Sequence, residues 1–179
     1  VDKKNVLPLI HETIALNSTA FEGKDEDGKP DFVGSKTECA LLGFSKGLGS
    51  SYEDIRHDAT IAKVYPFASK RKTMTTISEI KENSAPSTSD GNYRVHVKGA
   101  SEIVLEACKY YINNKGEIQE LDKEASNNFT GIISSYADKA LRTIALAYRD
   151  ISKSKYKKVS DDEPPLEELT LIGIVGIMD

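Results

Sequence analysis

The sequence predicts an α+β fold: a mainly antiparallel, twisted sheet of about six strands flanked by helices. Three observations predict it. β-Branched, partly alternating segments at 60–67, 73–80 and 93–97 follow one another in hairpin order. Apolar residues at helical spacing recur at 5–16, 35–44, 100–110 and 122–141. The run Leu169 to Met178 is almost continuously apolar, as a strand covered on both faces should be. A chain of 179 residues, 39% hydrophobic and 29% charged, suits one soluble globular domain with a core of its own.

Each element has a local reason. In 5–16, Val6, Leu7, Ile10 and Ile14 make one apolar stripe, closed by Asn17-Ser-Thr. Phe21 to Pro30 is charged and carries two glycines, so it reads as a loop, followed by a short strand near Phe32-Val33. Ser35-Lys-Thr-Glu38 reads as a capping box: the Ser35 hydroxyl accepts an early N–H while Glu38 reaches back to the cap. That helix runs through Phe44 and ends at Gly47 to Ser51.

A basic turn, Ser69-Lys70-Arg71-Lys72, joins the strands at 60–67 and 73–80. Residues 82–91 and 152–165 read as flexible loops by composition. Tyr93 to Val97 alternates as a strand, and a helix follows to Tyr110, with a turn at Asn113 to Gly116. The longest helix spans 122–141, with Ala125, Phe129, Ile132, Ile133, Tyr136 and Ala137 on its apolar face. Strands at 143–148 and 169–178 complete the sheet, and an apolar strand ending one residue from Asp179 suggests that the natural chain continues.

Composition narrows the function classes. The net charge of −4 argues against nucleic acid as the main partner. The longest apolar run is interrupted by glycines and much shorter than the ~20 residues that span a bilayer, and the polar opening lacks a leader pattern. Cys39 and Cys108 lie far apart in helix-like surroundings with no CxxC or Cys/His cluster, so neither a disulfide framework nor a zinc site is expected. His11, His57 and His96 are scattered and read as packing or surface residues. The two Asn-X-Thr sequons, at Asn17 and Asn128, matter only in a secreted protein. Composition therefore points to a cytosolic, soluble single domain and no further; as a partner expectation, the chain is a monomer.

Familiar chemical signatures are missing. The sequence has no G-x-x-x-x-G-K-[ST], no strand–G-x-G-x-x-G–helix, no H-E-x-x-H and no G-x-S-x-G. A nucleotide site in this chain would have to be assembled from separate side chains.

Four segments stand out together: Gly34-Ser-Lys-Thr-Glu-Cys-Ala-Leu-Leu-Gly-Phe44, Tyr65-Pro-Phe-Ala-Ser-Lys-Arg-Lys-Thr-Met74, Val97-Lys-Gly-Ala-Ser-Glu-Ile-Val-Leu105 and Leu141-Arg-Thr-Ile-Ala-Leu-Ala-Tyr-Arg-Asp150. In this order they resemble the nucleotide-binding domain of P-type ATPases, over essentially the whole chain. The Lys-Thr-Glu-Cys-Ala-Leu-Leu-Gly-Phe string and Ser101 after Lys-Gly-Ala are similar to the type IIB calcium pumps of plasma membrane and vacuole. The closing Gly173-Ile-Val-Gly-Ile-Met-Asp179 resembles the return strand into the phosphorylation domain, with Asp179 as the first hinge residue.

The resemblance implies a site, residue by residue. Phe67 matches the aromatic that stacks on adenine, although composition alone would send such a phenylalanine to the core. Lys98 matches the lysine at the inner end of the adenine pocket, and Gly99 after it would let backbone and ligand approach closely. Glu38 matches the acid near the adenine amino group, with Thr37 beside it. Lys72 and Arg142 fall where basic residues meet the phosphates, a task for which the arginine fork is well shaped. Taken alone, Lys98 reads as a solvated strand end, Lys70-Arg71-Lys72 as a solvated turn and Arg142 as half of a surface ion pair. Two departures stand out: Ser69 replaces an arginine found in many relatives, and Lys36 replaces a proline.

The implied activity is ATP binding, as Mg-ATP in the parent, and presentation of the γ-phosphate to an aspartate on a separate phosphorylation domain. The Asp-Lys-Thr-Gly-Thr motif bearing that aspartate is not in this sequence, so the chain alone should bind without hydrolysing. No catalytic residue and no metal ligand are assigned. The implied partners are the phosphorylation and actuator domains of one parent, a regulatory tail and a membrane that holds the whole. Two alternatives stay open: a non-catalytic interaction module docking through the acidic stretches 23–30 and 152–165, and the same domain in a pump for another cation.

Overall fold

The computed structural model describes residues 6–82, 84 and 91–179. Helix α1 (Val6–Leu16) buries Val6, Leu9, Ile14, Ala15 and Leu16, and Pro8 sits in its first turn, where no intrahelical N–H is lost. The charged stretch read as a loop is a hairpin instead, β1 (Phe21–Lys24) paired antiparallel with β2 (Pro30–Val33). Its tip is tied by Asp25, whose Oδ1 accepts from the N–H groups of Asp27 (3.0 Å) and Lys29 (2.8 Å). Helix α2 (Lys36–Gly47) starts at Ser35, whose Oγ accepts from Glu38 N at 3.2 Å. Short helix α3 (Tyr52–Asp58), too brief to show a period, buries Tyr52. Its Arg56 donates to the Ala15 carbonyl at 2.7 Å, satisfying an open end of α1.

The remaining elements build the main sheet and cover one face of it. They are β3 (Ile61–Ala68), β4 (Thr73–Glu79), β5 (Tyr93–Ala100), α4 (Ser101–Glu106), β6 (Cys108–Ile112), β7 (Ile118–Glu120), α5 (Lys123–Asp138), β8 (Arg142–Ile151), α6 (Lys153–Tyr156) and β9 (Leu169–Ile177). The sheet has seven strands in the order β3-β4-β5-β8-β9-β6-β7, all antiparallel neighbours except β6 and β9. The helix anticipated to Tyr110 therefore stops at Glu106, and Cys108 lies in a strand. Pairing with apolar β9 wins there: Leu169 N donates to the Ala107 carbonyl at 3.0 Å, and the Lys-Tyr-Tyr-Ile run has strand-forming side chains. The long helix likewise ends at Asp138 rather than Leu141.

Strand alternation sorts side chains onto two cores. Tyr65, Ile77, Val95, Val97, Ala145, Ala147, Leu169 and Leu171 face α4 and α5. Leu146, Tyr148 and Ile172 face the other way and meet Leu9, Ile14, Leu41, Leu42 and Tyr52 from α1, α2 and α3. The 152–165 stretch, read from composition as a flexible loop, packs against the sheet. Tyr156 stacks on Tyr93 with centroids 4.0 Å apart, Pro164 is buried, and Val159 and Leu166 pack on the first core. Of the other expected loop, 82–91, residues 82, 84 and 91 are described and the rest lie outside the described residues.

β5 carries an unusual buried stripe toward α1: Arg94, His96 and Lys98. Arg94 grips Asp150 with two bonds (2.8 and 3.1 Å) and reaches Glu12 at 3.3 Å. The His96 ring sits between Thr13 Oγ1 (3.1 Å) and Ser78 Oγ (3.0 Å), with Glu12 Oε1 3.5 Å away. Burial, aided by the Arg94 charge, pushes the His96 pKa down to about 3.

Leu169→Ala should cost about 2–5 kcal/mol in a denaturant titration, because truncating a fully buried side chain of the first core leaves a cavity. His96 stays neutral in the fold while the unfolded chain takes up a proton near pH 6.5, so its contribution is complete above that pH. It should be lost as pH falls toward 3, by at most ~1.4 kcal/mol per pH unit. Glu12, raised by burial against the pull of Arg94, works in the opposite sense. Unfolding curves between pH 4 and 7 should therefore slope less steeply for His96→Gln than for the unaltered chain.

Candidate functional site

The starts of α2, β4 and β8 and the end of β5 converge around a cleft of ≈ 770 Å³. Met74, Lys98, Ala100 and Ile144 form its floor from three adjacent strands. The first turn of α2 and Thr19 make one wall, and Val64, Pro66 and Phe67 of β3 make the other. All seven residues singled out from sequence line it: Thr37, Glu38, Phe67, Lys72, Lys98, Gly99 and Arg142.

Phe67 reaches the cleft through a ladder irregularity. Tyr65 pairs with Thr75 and Ala68 with Thr73, so three steps on β3 oppose two on β4. In strict alternation Phe67 would follow Tyr65 into the core. The bulge, centred where Pro66 has no N–H to give the ladder, turns Phe67 outward and leaves it 61% exposed.

At the inner end, Lys98 Nζ donates to Glu38 Oε1 at 2.9 Å and to the carbonyl of Asn17, and both side chains are about nine-tenths buried. Thr19 completes the bracket, giving its N–H to Oε1 (3.2 Å) and its hydroxyl to Oε2 (2.9 Å). Burial pushes the Glu38 carboxyl upward, yet the Lys98 and Thr19 bonds together outweigh it and hold the group below its ordinary range. Burial also lowers the Lys98 pKa, opposed by Glu38. The capping box is thus only half made. Ser35 caps the helix, while the Glu38 carboxylate turns away to Lys98 and Thr19 because a buried ammonium needs it more than an N–H beside solvent does.

Gly99 lines the cleft, but the close approach it permits is made by the chain itself. A Cβ there would lie 2.4 Å from the Lys72 carbonyl oxygen and 2.8 Å from Thr73 Cγ2. That carbonyl accepts from Ala100 N at 3.1 Å, and Lys72 takes φ 57° to deliver it. The basic turn splits accordingly. Lys72 lines the cleft, whereas the Arg71 guanidinium donates to the Pro66 carbonyl at 2.9 Å and, like Lys70, is not among the lining residues. Ser69 also lines the cleft.

Arg142 bridges two partners at the mouth. One nitrogen donates to Thr37 Oγ1 at 3.0 Å, and another pairs with the Asp179 carboxylate. With 44% of its side chain exposed, it is both the surface ion pair that pattern alone suggests and a cleft residue.

Thr19, Val64, Pro66, Met74 and Ile144 are lining residues that motif reasoning missed. Val64 could have been suspected as an apolar residue on the outward side of an edge strand, where it is 46% exposed. Thr19 carries no local signal, because its role depends on α1 ending beside α2. Among the described residues no group of three or more His, Cys, Asp or Glu is placed to hold a metal ion, and no helix is long and apolar enough to cross a membrane. The chemistry offered is an apolar slot for a flat ring, an ionised acceptor at its inner end, and cations at its mouth.

Comparison with known proteins finds matches along nearly the whole chain. Residues 5–179 match the family described as P-type ATPase, cytoplasmic domain N. The chain is 42% identical over 176 residues to the calcium-transporting ATPase PAT1 of Dictyostelium discoideum, covering 98% of this chain and 15% of that protein. It is 40% identical to calcium-transporting ATPase 2 of Cryptococcus neoformans, over 96% of this chain and 13% of the relative. It is 38% identical to human plasma membrane calcium-transporting ATPase 4, over 97% of this chain and 14% of the relative. The chain thus spans about a seventh of these relatives' length. On the match across its whole described length, the chain belongs to the cytoplasmic N domains of P-type ATPases.

Proposed function

We propose that the cleft binds ATP and that the chain serves as the nucleotide-holding domain of a P-type calcium pump. The observation that carries this reading is Phe67. A bulge turns a large aromatic away from an available core and leaves it exposed in the same cleft as the buried Glu38–Lys98 pair. An exposed ring face beside an ionised acceptor suits a purine with an exocyclic amino group, and base stacking on an aromatic is worth about 1–3 kcal/mol. The cleft volume lies within the ≈ 300–1,000 Å³ usual for small-molecule sites.

Lys72 and Arg142 stand at the mouth, where the triphosphate would emerge. Two cations without a glycine-rich cradle give modest grip on phosphate, which leaves the γ-phosphate free to reach a separate phosphorylation domain of the parent. Swinging the whole domain then delivers the phosphate and makes transfer effectively intramolecular. Magnesium would arrive on the nucleotide, shielding phosphate charge while these residues orient the base. The calcium assignment rests on the names of the relatives matched over nearly all of this chain. The actuator domain, a regulatory tail and the membrane portion would belong to the same parent.

The 179-residue chain should bind ATP with a dissociation constant between high micromolar and millimolar, about −4 to −6 kcal/mol, without hydrolysing it. Amide shifts in an ATP titration should move at residues 34–38, 67–72 and 97–99, and shifts elsewhere only would refute the reading. Phe67→Ala should lose most of the binding, about tenfold or more, with the melting temperature nearly unchanged because the ring contributes little to the core. Arg142→Ala should weaken ATP several-fold and adenosine hardly at all, as calorimetric titration of the two ligands would reveal.

A further inference from the structure

The Glu38–Lys98 pair is held by a segment outside the four that carry the resemblance, Asn17 to Thr19. Asn17 is fully buried at the end of α1. Its side chain donates to the Met74 carbonyl at 3.0 Å and accepts from Thr76 Oγ1 at 2.9 Å, which pins the segment to β4. Its own carbonyl then receives the Lys98 ammonium. Two residues on, Thr19 gives Glu38 both a backbone N–H and a hydroxyl.

These bonds can be counted against what a carboxylate accepts. An ionised carboxylate has about four acceptor positions on its two oxygens. Oε1 takes Thr19 N and Lys98 Nζ, and Oε2 takes the Thr19 hydroxyl. About one position is left, on Oε2, and Glu38 lines the cleft. A residual acceptor with no proton to offer welcomes an N–H donor and repels a carbonyl oxygen. Buried polar sites discriminate most strongly when the wrong ligand leaves them unpaired.

We infer that Thr19 is a positioning and specificity-determining residue: by fixing both oxygens of Glu38, it leaves a single acceptor that selects a 6-amino purine over a 6-oxo purine. The inference rests on the nucleotide reading above and adds to it the residue that sets base choice. Without the hydroxyl bond, Glu38 Oε2 is free to rotate off its line or to take up water, and the two purines become more alike to the cleft. The backbone N–H of Thr19 survives any side-chain change, so the loop itself stays tied.

The experiment compares ATP with ITP, which differ at the 6-substituent, on the 179-residue chain by calorimetric titration. The unaltered chain, Thr19→Val and Thr19→Ser are measured side by side. The unaltered chain should favour ATP by roughly tenfold or more. Thr19→Val, equal in shape but without the hydroxyl, should weaken ATP about three- to tenfold while leaving ITP unchanged or tighter. Thr19→Ser should restore the preference, and melting temperatures of all three should agree within a few degrees. A purely structural role would move both nucleotides together. Equal weakening of ATP and ITP, or an ATP-to-ITP ratio untouched by Thr19→Val, overturns this inference and leaves nucleotide binding standing. Failure of the unaltered chain to bind ATP at all overturns the nucleotide reading, and this one with it.

Discussion

One buried ion pair organises the cleft. Lys98 lies near the end of β5 with only 7% of its surface exposed, and removing an ammonium from water is tolerable only with a close anion and filled donor positions. Glu38 supplies the anion from α2, and the Asn17 carbonyl supplies an acceptor from the end of α1. Three elements distant in sequence are locked at one point. Removing either partner of such a pair typically costs about 3–5 kcal/mol, since the other is left buried and uncompensated. The capping box gives way here for the same reason: the N–H that Glu38 abandons lies at a helix start next to an open cleft, whereas the ammonium has no alternative anion.

A second constraint shapes the opposite wall. β4 and β5 approach so closely at Gly99 that no side chain fits, and the Lys72 backbone enters a left-handed conformation to make the contact. The turn before β4 is therefore fixed by backbone bonding, and the bulge on β3 sits directly above it. Phe67 and Lys72 are thereby delivered to the same cleft by one irregular hairpin. Outward aromatic and rim cation are consequences of a single local distortion.

The cleft was legible in the sequence to the extent that its motifs were. Seven residues on four segments do line one cavity, and the sheet and its helices follow the hydrophobic periods closely. What pattern could not supply falls into three physical kinds. Elements of only about two periods, such as α3 and the hairpin at 21–33, take their form from Asp25 and Tyr52 rather than from a sustained repeat. Residues 108–112 choose strand over helix because β9, some sixty positions later, offers an unpaired edge. The reason for Gly99 and the turning away of Glu38 depend on which backbone and which charge arrive opposite, and a single chain position carries no trace of either.

Strand alternation explains how a buried polar stripe coexists with a stable sheet. On β5, Val95 and Val97 enter the core beneath α4, while Arg94, His96 and Lys98 alternate toward α1. Each polar residue on that stripe has its partners: Asp150 and Glu12, then Thr13 and Ser78, then Glu38 and Asn17. Apolar burial on one face supplies the cohesion, and the other face spends part of its own on directed bonds that admit one geometry. Only the last member of the stripe reaches the cleft, so the two before it act as its footing. The charge that a ligand would meet is fixed by the same period-two rule that builds the core.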